Sequence, residues 1–238
     1  MSDRFEIRKE VVLPATPAQV WHAVATREGQ RSWSPDPDAM EAEGMQVERQ
    51  ENERLFVRTP DGPDGAFHAY EYLIEARDDA TTVLTFVHSG FLGDDWGGEY
   101  DFETMTGYGW DLYMVNLAQY LTHFAGRDGT FVTGQGPQSQ TSPAAWAPVA
   151  AALGVTGTLA VGDEVTLTPA GLEPIVGVVD WVVPTDDFVG VRAADGLYRF
   201  HNNTVMGMPV AFGHYLFTDA DAEAETKKWE DWLAAVYA

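Results

Sequence analysis

Two stretches of the chain open a helix in the same way, and the two halves they begin each end on a Trp-rich amphipathic run. In Thr16-Pro17-Ala18-Gln19-Val20-Trp21 a hydroxyl side chain stands at the N-cap position and Pro at the first helical one; Ser142-Pro143-Ala144-Ala145-Trp146 repeats the arrangement. Gly29 and Gly154 follow at matching places as helix ends. Trp110, Tyr113, Met114, Leu117 and Leu121 form a helical stripe late in the first half, and Trp229, Trp232, Leu233, Val236 and Tyr237 form one at the end of the second. The order of elements recurs at an offset of about 126 residues, which predicts an internal duplication; a single continuous fold with a chance echo is the other reading. A chain of 238 residues accommodates either.

Between those landmarks the first half reads as strands. Phe5, Ile7, Val11 and Leu13 share one parity against Glu6, Arg8 and Glu10, a half-buried strand over Arg4–Leu13. Lys9 interrupts the apolar parity, either snorkelling at a bend or pointing into a cavity. Arg54–Arg58, Phe67–Glu75 and Thr81–His88 follow as strands, separated by Pro60-Asp61-Gly62-Pro63-Asp64-Gly65 and Asp78-Asp79 turns. A long helix from about Thr104 to Phe124 closes the half at Gly126. Residues 127–142 read either as a linker or as the counterpart of the first strand. Strand-like runs follow at Glu164–Thr168, Ile175–Val183, Phe188–Arg192, Leu197–His201 and Pro209–Phe217. Antiparallel strands covered by a long helix make the fold class α+β, with domains expected at 1–126 and 127–238.

Composition removes several function classes. The 37 acidic and 14 basic residues give a formal charge of −23, a surface that repels phosphate backbones and anionic lipids, so no nucleic-acid partner is expected. The absence of cysteine removes disulfides and thiolate chemistry. No run approaches 18 apolar residues, so no membrane span is expected, and the alternating start shows no secretory pattern. These features together point to a cytoplasmic protein.

The run Val11-Val12-Leu13-Pro14-Ala15-Thr16-Pro17-Ala18-Gln19-Val20-Trp21, the later Trp33, the strand Thr82-Val83-Leu84-Thr85-Phe86-Val87-His88-Ser89-Gly90, and Gly109-Trp110 at the last helix carry a family resemblance. The first half resembles the activator-of-Hsp90-ATPase-like branch of the START/Bet v1-like (SRPBCC) superfamily. The second half looks like a degraded copy, without a long patterned first strand or a clear equivalent of Thr82–Gly90. The resemblance implies a helix-grip fold, a curved antiparallel sheet around a long C-terminal helix, in two copies. It also implies an apolar cavity between them, in a superfamily whose members bind lipids, hormones or polyketides, some cyclising the last. The eukaryotic namesake stimulates a chaperone ATPase, and fold alone does not choose among these roles.

The residues supply one candidate site. His68, Tyr70 and Tyr72 share a strand parity; Phe86 and His88 share another; Trp110, Met114 and Leu117 share the final helix's face; Trp33 stands at a loop edge. If those faces converge they line one space, either a ligand cavity of several hundred Å³ or a filled core. His68 and His88 on neighbouring strands lack an acid/base partner at diagnostic spacing and a third metal ligand. Asp219–Glu223 lacks the glycine and distal Glu of a calcium loop and reads as an acidic helix start. Gly134-Gln135-Gly136 lacks the rest of a phosphate loop, and no hydrolase or zinc-protease motif occurs. Trp96, in Asp94–Gly98, is a candidate lid residue. No catalytic residue, cofactor or metal is therefore assigned. The expectation is a module that binds a small apolar molecule in the first domain. A cavity enzyme of the polyketide cyclase or hydrolase kind is the alternative, and a chaperone-associated adaptor for a protein partner is the third reading.

Overall fold

The computed structural model describes residues 4–93, 101–183 and 188–238. It divides into two compact units, Met1–Arg127 and Asp128–Ala238. The candidate lid Trp96 lies outside the described residues.

The first unit begins with β1 (Arg4–Leu13), whose apolar parity buries Phe5, Ile7 and Leu13. The intervening Lys9 reaches Asp111 at 2.6 Å, so its stem lies along the apolar face while its charge is paired at the rim. Helix α1 (Pro17–Ala25) starts on a full capping box: the Thr16 hydroxyl accepts from the Gln19 N–H, and the Gln19 side chain accepts from the Thr16 N–H. It ends at Thr26 rather than at Gly29. The Thr26 hydroxyl donates to the His22 carbonyl and accepts from the Gly29 N–H, closing α1 and capping the single turn α2 (Arg27–Gln30). Gly29 is needed for space instead, because a Cβ there would collide with the His22 carbonyl.

Four strands follow: β2 (Gln46–Gln50), β3 (Arg54–Arg58), β4 (Phe67–Ala76) and β5 (Thr82–Phe91). They form an antiparallel sheet in the order β1-β5-β4-β3-β2, the last strand returning to pair with the first. Helix α3 (Phe102–Gln119), capped by Asp101 and extended by a π turn over Tyr120–Phe124, buries Leu112, Met114, Leu117 and Leu121.

The second unit repeats this path. β6 (Thr130–Gln135) occupies the stretch that could have been a linker. A 3₁₀ turn at Pro143–Ala145 leads into α4 (Trp146–Ala152); Ser142 makes no side-chain cap, unlike Thr16. Then come β7 (Glu164–Leu167), β8 (Ile175–Val182), β9 (Phe188–Ala193), β10 (Gly196–His201), β11 (Ala211–Leu216) and α5 (Ala222–Val236). The sheet order is β6-β11-β10-β9-β8-β7. Again the last strand pairs with the first and a helix follows it, so β11 is the equivalent of Thr82–Phe91 that the sequence concealed. Asp221 caps α5, accepting from the Ala224 N–H at 2.8 Å, which gives the acidic run a structural use. Trp229, Trp232 and Leu233 of α5 bury against Val132, Phe200 and Phe212. Each unit is thus a helix-grip fold of the α+β class. No helix among the described residues is long and apolar enough to cross a membrane.

Inside the second unit, Arg199 holds Asp180 through two parallel bonds of 2.9 and 2.8 Å, with both side chains almost wholly shielded from solvent. A buried charge stripped of such a partner is strongly unfavourable. Replacing Asp180 by Ala is expected to cost about 3–5 kcal/mol in chemical denaturation. Replacing the exposed Glu173 by Gln is expected to change stability by less than about 0.5 kcal/mol. Equal effects from the two substitutions would contradict this role for the pair.

Candidate functional site

A pocket of about 230 Å³ opens in the first unit beside the sheet-facing side of α3. Val57 of β3 and Tyr70 and Tyr72 of β4 line it from the sheet, and Trp110 and Tyr113 line it from α3. The segment after α1 completes it with Gln30, Trp33, Asp36, Met40 and Met45. Trp33 is fixed by its indole N–H donating to the Ala23 carbonyl at 2.8 Å, and Gln30 by its amide donating to the Val24 carbonyl at 2.8 Å. The pocket is therefore an aromatic cleft braced against the end of α1.

Of the residues expected to share a space, Trp33, Tyr70, Tyr72 and Trp110 line this pocket. Phe86, Met114 and Leu117 are buried and do not line it; Phe86 packs on Trp110 at 4.2 Å and on Tyr72 at 4.9 Å between ring centroids, directly behind two of its walls. The open volume falls below the roughly 300–1,000 Å³ usual for a drug-sized ligand. His68 and His88 do not line it either, although they do meet. Met40, Met45, Tyr113 and Gln30 were not foreseen. Met40 and Met45 are apolar residues in a polar, non-periodic segment, and that incongruity was the available signal.

The two histidines form a relay behind the pocket wall. The Trp110 indole N–H donates to His88 Nδ1 at 3.0 Å, and His88 Nε2 lies 2.9 Å from His68 Nδ1. Indole nitrogen is a donor only, so His88 Nδ1 must accept. His88 therefore carries its proton on Nε2 and donates to His68, whose own proton then sits on Nε2. Tyr70 stands opposite His88 in the strand register and stacks on its ring at 4.5 Å. One imidazole thus holds two of the pocket's walls. Burial and, secondarily, the neighbouring His68 push the His88 pKa down to about 3, and burial also lowers that of His68. Burial raises the phenols of Tyr70, Tyr72 and Tyr113, which remain protonated donors. Among the described residues no group of three His, Asp or Glu side chains is placed to hold a metal ion.

No protein-family model matches the chain, and no curated protein matches it. Solved structures with similar coordinates include the di-domain ARO/CYC BexL from the BE-7585A biosynthetic pathway, 12% identical, covering 94% of this chain and 92% of its own with a TM-score of 0.43. DynU16, from the dynemicin biosynthetic locus, is 16% identical and covers 98% of this chain and 96% of its own, with a TM-score of 0.38. The Aha1 dimer from Colwellia psychrerythraea is 16% identical, covering 49% of this chain and 96% of its own, with a TM-score of 0.38. None of these likenesses supplies a residue role or a ligand for this chain; the fold stands on the strand order and helix placement of the two units.

The buried histidines set a pH dependence. His88 stays neutral in the folded unit down to about pH 3, and in the second unit burial, followed by Arg199, pushes His201 down to about 4. In the unfolded chain both take a proton near pH 6.5. The unfolded state then binds more protons, so their stabilising effect is full above about pH 6.5 and is lost progressively as the pH falls below it. Denaturation midpoints measured between pH 7.5 and pH 4.5 are expected to fall steadily below about 6.5. A flat profile down to the carboxylate range near pH 4 would contradict neutral, buried imidazoles.

Proposed function

We propose that the first unit binds a small, largely apolar molecule in the pocket between Trp33, Tyr70, Tyr72, Trp110 and Tyr113. The observation that carries this reading is the composition of those walls. Three phenols and two indoles surround an open space, and the hydroxyls of Tyr70, Tyr72 and Tyr113 have no protein partner among the described residues. Apolar walls with a few orienting polar groups are what a small-molecule site requires. The volume suits a compact ring system, and the phenolic hydrogens suit an oxygen acceptor on that ring. Rigid aromatic walls, two of them pinned through His88, lose little freedom when a ligand enters. The histidine relay has His88 donating from Nε2 to His68 Nδ1, with His88 Nδ1 occupied by the Trp110 indole, so neither ring nitrogen of His88 is free to act as a base toward the pocket. That arrangement favours binding over acid–base chemistry at this position.

Titration calorimetry with 2-naphthol as probe is expected to show one saturable site in the full chain. Ala39→Trp, at an exposed position on the pocket's lining, is expected to abolish binding while leaving the circular dichroism spectrum unchanged. Tyr72→Phe is expected to weaken it about fivefold, the worth of one neutral hydrogen bond. Undiminished binding to Ala39→Trp would overturn the assignment, as would no binding to the unaltered chain.

A further inference from the structure

The second unit repeats the cluster that shapes the first pocket. In the first unit Tyr70 and His88 face each other across β4 and β5, and Trp110 of α3 meets His88 edge-on at 5.6 Å and 77°. In the second, the pairs Leu197–Tyr215 and Phe200–Phe212 place Tyr198 opposite His214 across β10 and β11. Trp229 of α5 meets His214 edge-on at 4.7 Å and 78°, and Tyr198 lies 5.1 Å from the same ring. His214 is fully buried and takes the main-chain N–H of Arg199 on Nδ1 at 3.0 Å. Two residues before the tyrosine the units differ in a compensating way: His68 faces Gly90, whereas Gly196 faces Leu216. The larger side chain has changed strands.

The same pair of walls again borders an open space. A pocket of about 220 Å³ is lined by Tyr198, Trp229 and Leu216, with Leu172, Pro174 and Ile175 closing its apolar side. Its polar lining differs from that of the first pocket. Lys228 and Glu225 lie 3.0 Å apart and neutralise each other. Asp195, which accepts from the Tyr198 hydroxyl at 3.1 Å, and Glu173 remain as negative groups at the rim. An anion would meet both carboxylates and the chain's charge of −23, and a bare metal ion would face three apolar side chains that cannot solvate it. An ammonium group on an apolar body satisfies both halves, with its charge near the carboxylates and over the aromatic faces.

We propose that this pocket is a second ligand site, selective for small organic cations through Asp195, Glu173 and the aromatic pair Tyr198 and Trp229. It stands independently of any ligand in the first unit. The test is a titration of the full chain followed through the indole N–H resonances of Trp229 and Trp110, which report the two pockets separately. The probes are 2-phenylethylammonium, its neutral analogue 2-phenylethanol and the anion phenylacetate. The cation is expected to shift Trp229 saturably and more tightly than the alcohol, with phenylacetate silent there. Asp195→Asn with Glu173→Gln, both at exposed positions, is expected to preserve the fold and weaken the cation about fivefold or more. The proposal is overturned by equal affinity for the alcohol, by binding of phenylacetate, by an unchanged affinity in the double variant, or by a Trp229 resonance that no probe moves.

Discussion

An indole N–H can only donate, and in the first unit it donates to a buried imidazole. That single bond, from Trp110 to His88, sets the protonation of everything it touches. His88 must keep Nδ1 free of a proton, so Nε2 carries one and binds His68. A charged His88 would have two donors and lose the indole. Burial, and secondarily His68, keep His88 in the neutral form that can accept from Trp110, and Tyr70 stacks on the same ring. The pocket's shape follows from a neutral histidine that never faces the pocket.

The two units show how the same layout tolerates different chemistry. Each returns its last strand to its first and lays a Trp-bearing helix over the inner face. At the Tyr–His–Trp cluster the donor to Nδ1 is an indole in one unit and a main-chain N–H in the other. In the second unit the main-chain donor is the Arg199 N–H of the neighbouring strand, 3.0 Å from His214 Nδ1. His214 Nε2 has no hydrogen-bond partner among the described residues, and Gly196 stands at the strand position that His68 holds in the first unit. Aromatic rings surround the imidazole instead, with Trp229 at 4.7 Å and Tyr198 at 5.1 Å between ring centroids.

Much of the fold could be read from periodicity. The alternation of Phe5, Ile7 and Leu13, the Thr16-Pro17 start and the stripe from Trp110 to Leu121 all report local geometry, and all three elements form where that pattern puts them. Gly29 misled because its chemistry suits a helix end, while its actual constraint is a close backbone approach that no local pattern encodes. The site was half legible for the same reason. Parity places Tyr70, Tyr72 and Trp110 on converging faces, but it gives Phe86, Met114 and Leu117 the same standing. Which side chains fill a space and which leave it open depends on packed volume. Met40 and Met45 come from an irregular segment whose path only the tertiary structure supplies. The meeting of His68 and His88 follows from neighbouring strands; the indole that fixes their protonation comes from a distant helix.

The most direct test of this organisation is the side-chain ¹⁵N spectrum of His88 at neutral pH. An unprotonated Nδ1 and a protonated Nε2, with the Trp110 indole hydrogen coupled to that Nδ1 across the hydrogen bond, is the predicted result. A proton on Nδ1, or a doubly protonated ring, would contradict the account, because neither can accept from Trp110.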